Sequence, residues 1–311
     1  MRHRLEYAAV VLVLAIVRVT PWPIVRGTGR LFGLLFYFFD LRHRRVTLEN
    51  LAHAFPWRGL RERRAIARRV FAHFGRLVFD LLKFSTLAPE EMLRHVEFEG
   101  DERVRQAQSL NKGYLLLTGH FGFWELHGLV HALRLGPIGV LARTLDNPRL
   151  NALLERMRQS TGNVVIYRRG AIRRVMRQLQ ANQGVALLID QHSHTPDAVL
   201  VEFFGRPAAT TSSLAVLAVR TGAPVVPTFT IPLPGGRYRM IYEHAVLPPR
   251  DETPEEIRAF TQRCTDVLEM YVRRYPELWL WMHRRWRPLP ANHAANGTPS
   301  AEVTGDIEID G

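Results

Sequence analysis

The chain has 311 residues, 47% of them hydrophobic, enough for one large domain with a substantial core. Lys+Arg (42) outnumber Asp+Glu (29), for a net charge of +13, and every basic residue except Lys83 and Lys112 is arginine. That composition favours anionic partners such as phospholipid head groups, a phosphorylated substrate or an acidic carrier protein. A single cysteine, Cys264, excludes an intramolecular disulfide and fits a reducing compartment.

The N-terminus opens with a basic stretch (Arg2, His3, Arg4), followed by an apolar run over 7–17 that Arg18 ends. A second apolar run covers 31–39. The first run is shorter than the roughly 20 residues of an ordinary span. Arg18, Pro21, Trp22 and Pro23 stand where a small-residue cleavage site would be needed. Residues 1–40 therefore read as an uncleaved hydrophobic membrane-anchoring helix and interfacial segment, either a short tilted span or a helix lying in the interface. The arginines at 42, 44 and 45 and the reduced cysteine favour a catalytic domain on the cytoplasmic side of the membrane.

Residues 60–84 carry helical periodicity, with Ile66, Val70, Phe74, Leu77 and Leu81 on one face. From residue 114 strands and helices alternate. Strand-like runs fall at 114–118, 138–142, 164–167, 185–189, 199–203, 225–230 and 238–242. Helix-like runs fall at 123–133, 148–160, 171–181, 211–221 and 254–275. Asn147-Pro148 and Thr253-Pro254-Glu255-Glu256 mark two helix starts. This alternation predicts an α/β fold: a mixed or mostly parallel central sheet flanked by helices, over residues 41–290. The polar tail at 291–311 predicts disorder.

In such a fold, reactive side chains collect at the C-terminal ends of strands. His120, Arg143, Arg168 and Asp190 each follow a strand-like run. His120-Phe-Gly-Phe-Trp-Glu125 places an imidazole at the end of a buried strand, with a carboxylate five residues on. A neutral histidine can take a proton from a hydroxyl, and a carboxylate can hold its tautomer. His120 is thus the candidate base and Glu125 its candidate orienting partner. No serine or cysteine nucleophile lies beside them in sequence, so the proton would come from the substrate. Arg143 and Arg168 are candidate anion contacts. Asn147 is a candidate substrate contact that also suits a helix cap, and Asp190 is a further candidate substrate-site residue.

The His120–Glu125 block resembles the His-x4-Asp/Glu motif of the glycerolipid and lipid A acyltransferases. It is most similar to the bacterial lipid A lauroyl/myristoyl acyltransferase family, which also includes phosphatidylinositol mannoside acyltransferases. The blocks Arg143–Arg149, Asp190-Gln191, Phe203-Phe204-Gly205, Gly222–Pro227 and Trp279–Trp286 follow in the family's order. The resemblance implies O-acyl transfer from a thioester to a hydroxyl of a lipid A precursor or related glycolipid. It implies His120 as general base, Glu125 as its partner, and no cofactor or metal. The donor would be acyl carrier protein, which the basic surface favours, or acyl-CoA. The partners would then be that donor, a lipid acceptor and the membrane surface. His192-Ser-His194 departs from the family pattern and leaves lysophospholipid or phosphatidylinositol mannoside as alternative acceptors.

Two other classes compete. A metal-dependent hydrolase would use Asp190, His192 and His194, or His127 and His131 at helical i,i+4 spacing. A basic nucleic-acid-binding protein would use the net charge, but that charge is spread along the chain and no recognised module is present, so no nucleic-acid partner is expected.

Overall fold

The computed structural model describes residues 1–167, 170–195 and 197–287. The tail expected to be disordered lies outside them. Four helices come first: α1 (Arg2–Val19), α2 (Trp22–Phe39), α3 (Leu41–Ala54) and α4 (Leu60–Phe84). The segment expected to form one anchoring helix is a pair of helices, broken where Pro21 and Pro23 stop one and start the next. Among the described residues no helix is long and apolar enough to cross a membrane.

The pair packs along α4 rather than standing apart. A Cβ at Gly33 would lie 2.0 Å from the Phe71 carbonyl oxygen, and one at Gly75 would lie 2.4 Å from the Gly29 carbonyl oxygen. Only bare backbone allows α2 and α4 to come this close. Lys83, near the end of α4, donates to the carbonyls of Val17 (3.0 Å), Arg18 (2.8 Å) and Thr20 (2.9 Å). It thereby satisfies the acceptors that the C-terminus of α1 leaves open. The α4 stripe read from the sequence faces inward: Ile66, Val70 and Leu77 are buried, and Phe74 and Leu81 pack against the core.

The rest of the fold follows as α5 (Pro89–Arg94), β1 (Val96–Glu99), α6 (Asp101–Gln108), β2 (Tyr114–Thr118), α7 (Trp124–Leu135), β3 (Ile138–Ala142), α8 (Pro148–Gln159) and β4 (Val164–Tyr167). It continues as α9 (Ala171–Gln180), β5 (Gly184–Leu188), β6 (Val199–Phe203), β7 (Arg206–Thr210), α10 (Ser213–Thr221), β8 (Val225–Pro232), β9 (Tyr238–Tyr242) and α11 (Pro254–Arg274). The seven-stranded sheet runs β1-β9-β8-β2-β5-β3-β4. Every pair in it is parallel except β8–β9. The α/β architecture with a mostly parallel sheet thus matches the expectation. One strand-like run does not join it: β6 pairs with β7 as a separate antiparallel hairpin.

Strand order reverses around β2, which has β5 on one side and β8 on the other. In open parallel sheets a crevice forms at the C-terminal ends of strands at such a point. β2 is buried at all five positions. The residues just beyond it are therefore held by a rigid centre and still reach the crevice.

Candidate active site

The register of β2 and β5 builds the site. Thr118 is paired with Leu188, and the ladder continues with the Ile189 N–H donating to the Thr118 carbonyl at 3.2 Å. Two residues beyond each strand, His120 and Asp190 come side by side. His120 Nδ1 lies 2.9 Å from Asp190 Oδ1, and the His120 backbone N–H donates to Asp190 Oδ2 at 2.7 Å. Trp279 Nε1–H donates to the same Oδ2 at 2.8 Å. Gly119 permits this approach: a Cβ there would lie 2.9 Å from Asp190 Cγ.

Burial alone would push the Asp190 carboxyl up. The His120 imidazole, the His120 backbone N–H and the Trp279 indole together hold it below its ordinary value. Asp190 is therefore a carboxylate at neutral pH. It takes the Nδ1–H and leaves the lone pair of His120 on Nε2. The His120 side chain is 20% exposed while that of Asp190 is 2% exposed, so the outer nitrogen can meet a substrate and its partner cannot. The Trp124 ring packs edge-on to the imidazole at 5.2 Å. Behind the histidine, the Leu280 N–H donates to the His120 carbonyl at 3.1 Å and the Gly122 N–H to the Leu278 carbonyl at 2.8 Å. The 278–281 segment thus fixes the loop that carries His120 from outside the sheet.

Glu125, expected as the orienting partner, is engaged elsewhere. It sits in the first turn of α7, where its carboxylate accepts from Arg158 Nε (3.0 Å) and Nη2 (2.5 Å) in a forked pair. Five residues along the chain do not bring Glu125 onto His120 Nδ1, because that nitrogen faces β5 and not α7.

A cavity of about 350 Å³ opens beside His120. His120, Glu125, Arg143, Arg158, Gln191, Ser193, Thr211 and Ser213 are among its polar lining residues. Its body follows one face of the sheet: Leu116 and Thr118 of β2, Ile138, Val140 and Ala142 of β3, and Ala186 and Leu188 of β5. Alternate residues on each strand share a face. Gly128 and Leu129 of α7 and Leu154 of α8 roof it. Ile138 is the first residue of β3, so the cavity runs from the C-terminal edge of the sheet towards the opposite edge. A long, dominantly apolar slot that ends at an imidazole suits an alkyl chain bearing a reactive head.

A model of the bacterial lipid A biosynthesis acyltransferases matches residues 1–288. The chain belongs to that family. Its relatives include the lipid A biosynthesis lauroyltransferase of Escherichia coli (strain K12), 27% identical over 90% of this chain and 89% of the relative. The lipid A biosynthesis palmitoleoyltransferase of the same organism is 23% identical over 88% and 89%. The phosphatidylinositol mannoside acyltransferase of Mycobacterium tuberculosis (strain ATCC 25618 / H37Rv) is 25% identical over 68% and 67%. These relatives are named acyltransferases, and this chain is an O-acyltransferase of the same family.

In this acyltransferase the sequence-predicted residues are only partly assembled. His120, Glu125 and Arg143 line the cavity, and Asp190 stands directly behind His120. Asn147 does not line it. Its Oδ1 accepts from the N–H groups of Arg149 (3.0 Å) and Leu150 (3.4 Å), capping α8, and its Nδ2 donates to the His3 carbonyl and to Glu6, both at 2.9 Å. Its amide is thus used as a cap and a tether to α1, and not as the expected substrate contact. Arg168 lies outside the described residues. The alternative metal pair is engaged by hydroxyls: His127 with Thr228 and with Thr230 (3.3 Å), and His131 with Tyr114 (3.0 Å) and Tyr242 (2.9 Å). Burial pulls both histidines down to about 3, so they are neutral. Among the described residues no three His, Cys, Asp or Glu side chains are grouped to hold a metal.

Sequence reasoning missed Arg158 and the role of Trp279. Arg158 is one of two arginines in the last turn of α8, and only its forked pair with Glu125 of α7 distinguishes it. Trp279 lay within a recognised block, but nothing in its spacing points to Asp190.

Proposed function

We infer that the enzyme transfers a fatty acyl chain from an acyl thioester to a hydroxyl of a lipid A precursor or related phosphorylated glycolipid. The observation that carries this reading is the His120–Asp190 pair standing at the head of an apolar slot. His120 Nε2 takes the proton of the acceptor hydroxyl as its oxygen adds to the thioester carbonyl. Asp190 stabilises the imidazolium that forms. When the tetrahedral intermediate collapses, the C–S bond breaks and the leaving thiolate takes that proton from Nε2. The slot holds the acyl chain. Arg158 and Arg143, on its polar side, suit a phosphate of acceptor or donor. Acyl carrier protein is the preferred donor, because a +13 chain attracts an acidic carrier.

The setting is the cytoplasmic face of an inner membrane. Leu12, Ile16, Leu31, Phe32, Leu35 and Phe39 are exposed on α1 and α2, and Arg18, Arg30, Arg42 and Arg45 are exposed around them. Apolar side chains with arginines at their margin suit a helical pair lying in the lipid interface.

The test offers purified enzyme dodecanoyl thioesters of acyl carrier protein and of CoA. Each is paired with a lipid A precursor, a phosphatidylinositol mannoside or a lysophospholipid, and products are read by mass spectrometry. Ester formation on the lipid A precursor, faster from the carrier protein, is expected. Transfer confined to either of the other acceptors would overturn the acceptor assignment. Faster transfer from CoA would overturn the donor assignment.

A further inference from the structure

Gln191 directly follows Asp190, and its side chain lines the slot with His120. Its amide Nε2 lies 3.5 Å from His120 Nε2, too long for a strong hydrogen bond. The proton on Nδ1 leaves a lone pair on Nε2, so an N–H facing it is favourable and a carbonyl oxygen there would oppose it. The amide donors therefore point into the space that a reacting oxygen enters. Gln191 Oε1, at the other end, is buried and has no hydrogen-bond partner among the described residues.

The backbone beneath this side chain is unusually well fixed. Arg285 is 1% exposed. Its Nη1 donates to the Gln191 carbonyl at 3.0 Å and to the Ala209 carbonyl at 2.5 Å, and its Nη2 donates to the Thr210 hydroxyl. A buried guanidinium that ties three acceptors together holds the 191 backbone at a set distance from β7.

We propose that Gln191 is a catalytic residue whose amide N–H stabilises the oxyanion of the tetrahedral intermediate, and that Arg285 is the positioning residue behind it. This rests on the acyl-transfer reading above. As the acceptor oxygen bonds to the carbonyl carbon, the carbonyl π pair moves onto its oxygen and the hydroxyl proton moves to His120 Nε2. The Gln191 N–H donates to that oxygen. When the pair returns, the C–S bond breaks and the thiolate takes the proton from Nε2. A donor placed where charge develops, in a site with little water, acts mainly on the transition state.

The experiment measures kcat, KM and the pH–rate profile of the full-length enzyme, using dodecanoyl acyl carrier protein and a lipid A precursor. Gln191→Met keeps the length of the side chain and removes its N–H groups. It is expected to lower kcat about 100- to 1000-fold, the usual cost of losing one oxyanion donor. KM for either substrate should change by less than about threefold, because an interaction made only in the transition state lowers kcat and kcat/KM together. The pH at which the rate rises should stay put, since Asp190 still holds His120. Arg285→Lys, which loses the fork, should lower kcat with the same unchanged KM and pH profile. If Gln191→Met does not fold, Gln191→Asn keeps the amide but withdraws it by one methylene, and a loss in kcat of at least about tenfold is expected. Full kcat in a folded Gln191 variant, or a loss confined to KM, would overturn the inference and leave the acyl-transfer reading intact. No transfer by wild type would overturn that reading and the inference with it.

Discussion

Gly128 is where the slot can be shortened by a single side chain. It lies on α7, about 4.5 Å along the helix from Glu125, and faces the slot opposite Val140. A Cβ there would meet Asn163 Nδ2 at 3.6 Å and Val140 Cγ2 at 3.8 Å, both ordinary contacts, so alanine fits without strain. From Ala142 to Ile138 the floor runs along β3 for about 13 Å. A leucine at 128 would fill the middle of that length. Each methylene kept out of an apolar site loses about 0.8 kcal/mol. Excluding four would cost about 3 kcal/mol, or about 200-fold in kcat/KM for long donors, while short donors keep their rate. The assay is kcat/KM across a series of acyl carrier protein thioesters of increasing chain length. Gly128→Leu is expected to move the optimum to shorter chains, and Gly128→Ala to move it slightly. Alanine should also raise stability by up to about 1 kcal/mol, because glycine is a poor helix former, which separates a length effect from damage to the fold. An unchanged chain-length profile in folded Gly128→Leu would refute the placement of the acyl chain.

Other expectations concern the residues around the slot and the fold itself. Glu125→Gln and Arg158→Met should each weaken catalysis, and the double variant should lose little more than either single one, because they form one forked pair; additive losses in a double-mutant cycle would show that the two act separately. His73, His127 and His131 are buried and pulled down to about 3 by desolvation. Their folded values lie below the unfolded one near 6.5, so the unfolded chain binds more protons as pH falls, and full stability is present only above about pH 6.5. At pH 5 each should cost about 2 kcal/mol, and denaturant unfolding should show a fall of several kcal/mol from pH 7.5, which a flat profile would contradict. Lys83→Met removes the donor to three α1 carbonyls and should cost about 1–3 kcal/mol, with faster hydrogen exchange at residues 17–20; unaltered exchange there would argue against the clamp. Deleting residues 1–40 should reduce flotation with anionic phospholipid vesicles, and full flotation of the truncated protein would refute the interfacial helical pair.

The site was legible where it depends on a strand end. The apolar run at 114–118 and the histidine just after it announce a buried β2 with a side chain at its mouth. The same logic marked Asp190 after β5. What the sequence could not supply was adjacency. His120 and Glu125 are close along the chain, but the histidine's inner nitrogen faces the neighbouring strand, and the parallel β2–β5 register, set by crossovers of dozens of residues, decides that Asp190 meets it. Arg158 was illegible for a related reason: on α8 it looks like any solvated arginine, and its partner lies on α7. The separate β6–β7 hairpin was missed because β6 alternates as convincingly as the sheet strands, while β7 begins Arg206-Pro207 and gives little strand signal. At the N-terminus, the two prolines that split the helical pair were visible, but the close approach of Gly33 and Gly75 that packs it onto α4 belongs to tertiary structure.

The most direct test of the central claim is a single-turnover acyl-transfer measurement on wild type, His120→Ala and Asp190→Asn, each shown to be folded, with products identified by mass spectrometry. The His120–Asp190 account predicts an acylated glycolipid from wild type, and a loss of about 10²–10⁴ in rate for His120→Ala, the usual contribution of a general base. It predicts a loss of similar size for Asp190→Asn, whose amide no longer holds the productive tautomer or stabilises the imidazolium. Asp190→Asn at the wild-type rate, or transfer by His120→Ala within tenfold of wild type, would contradict it.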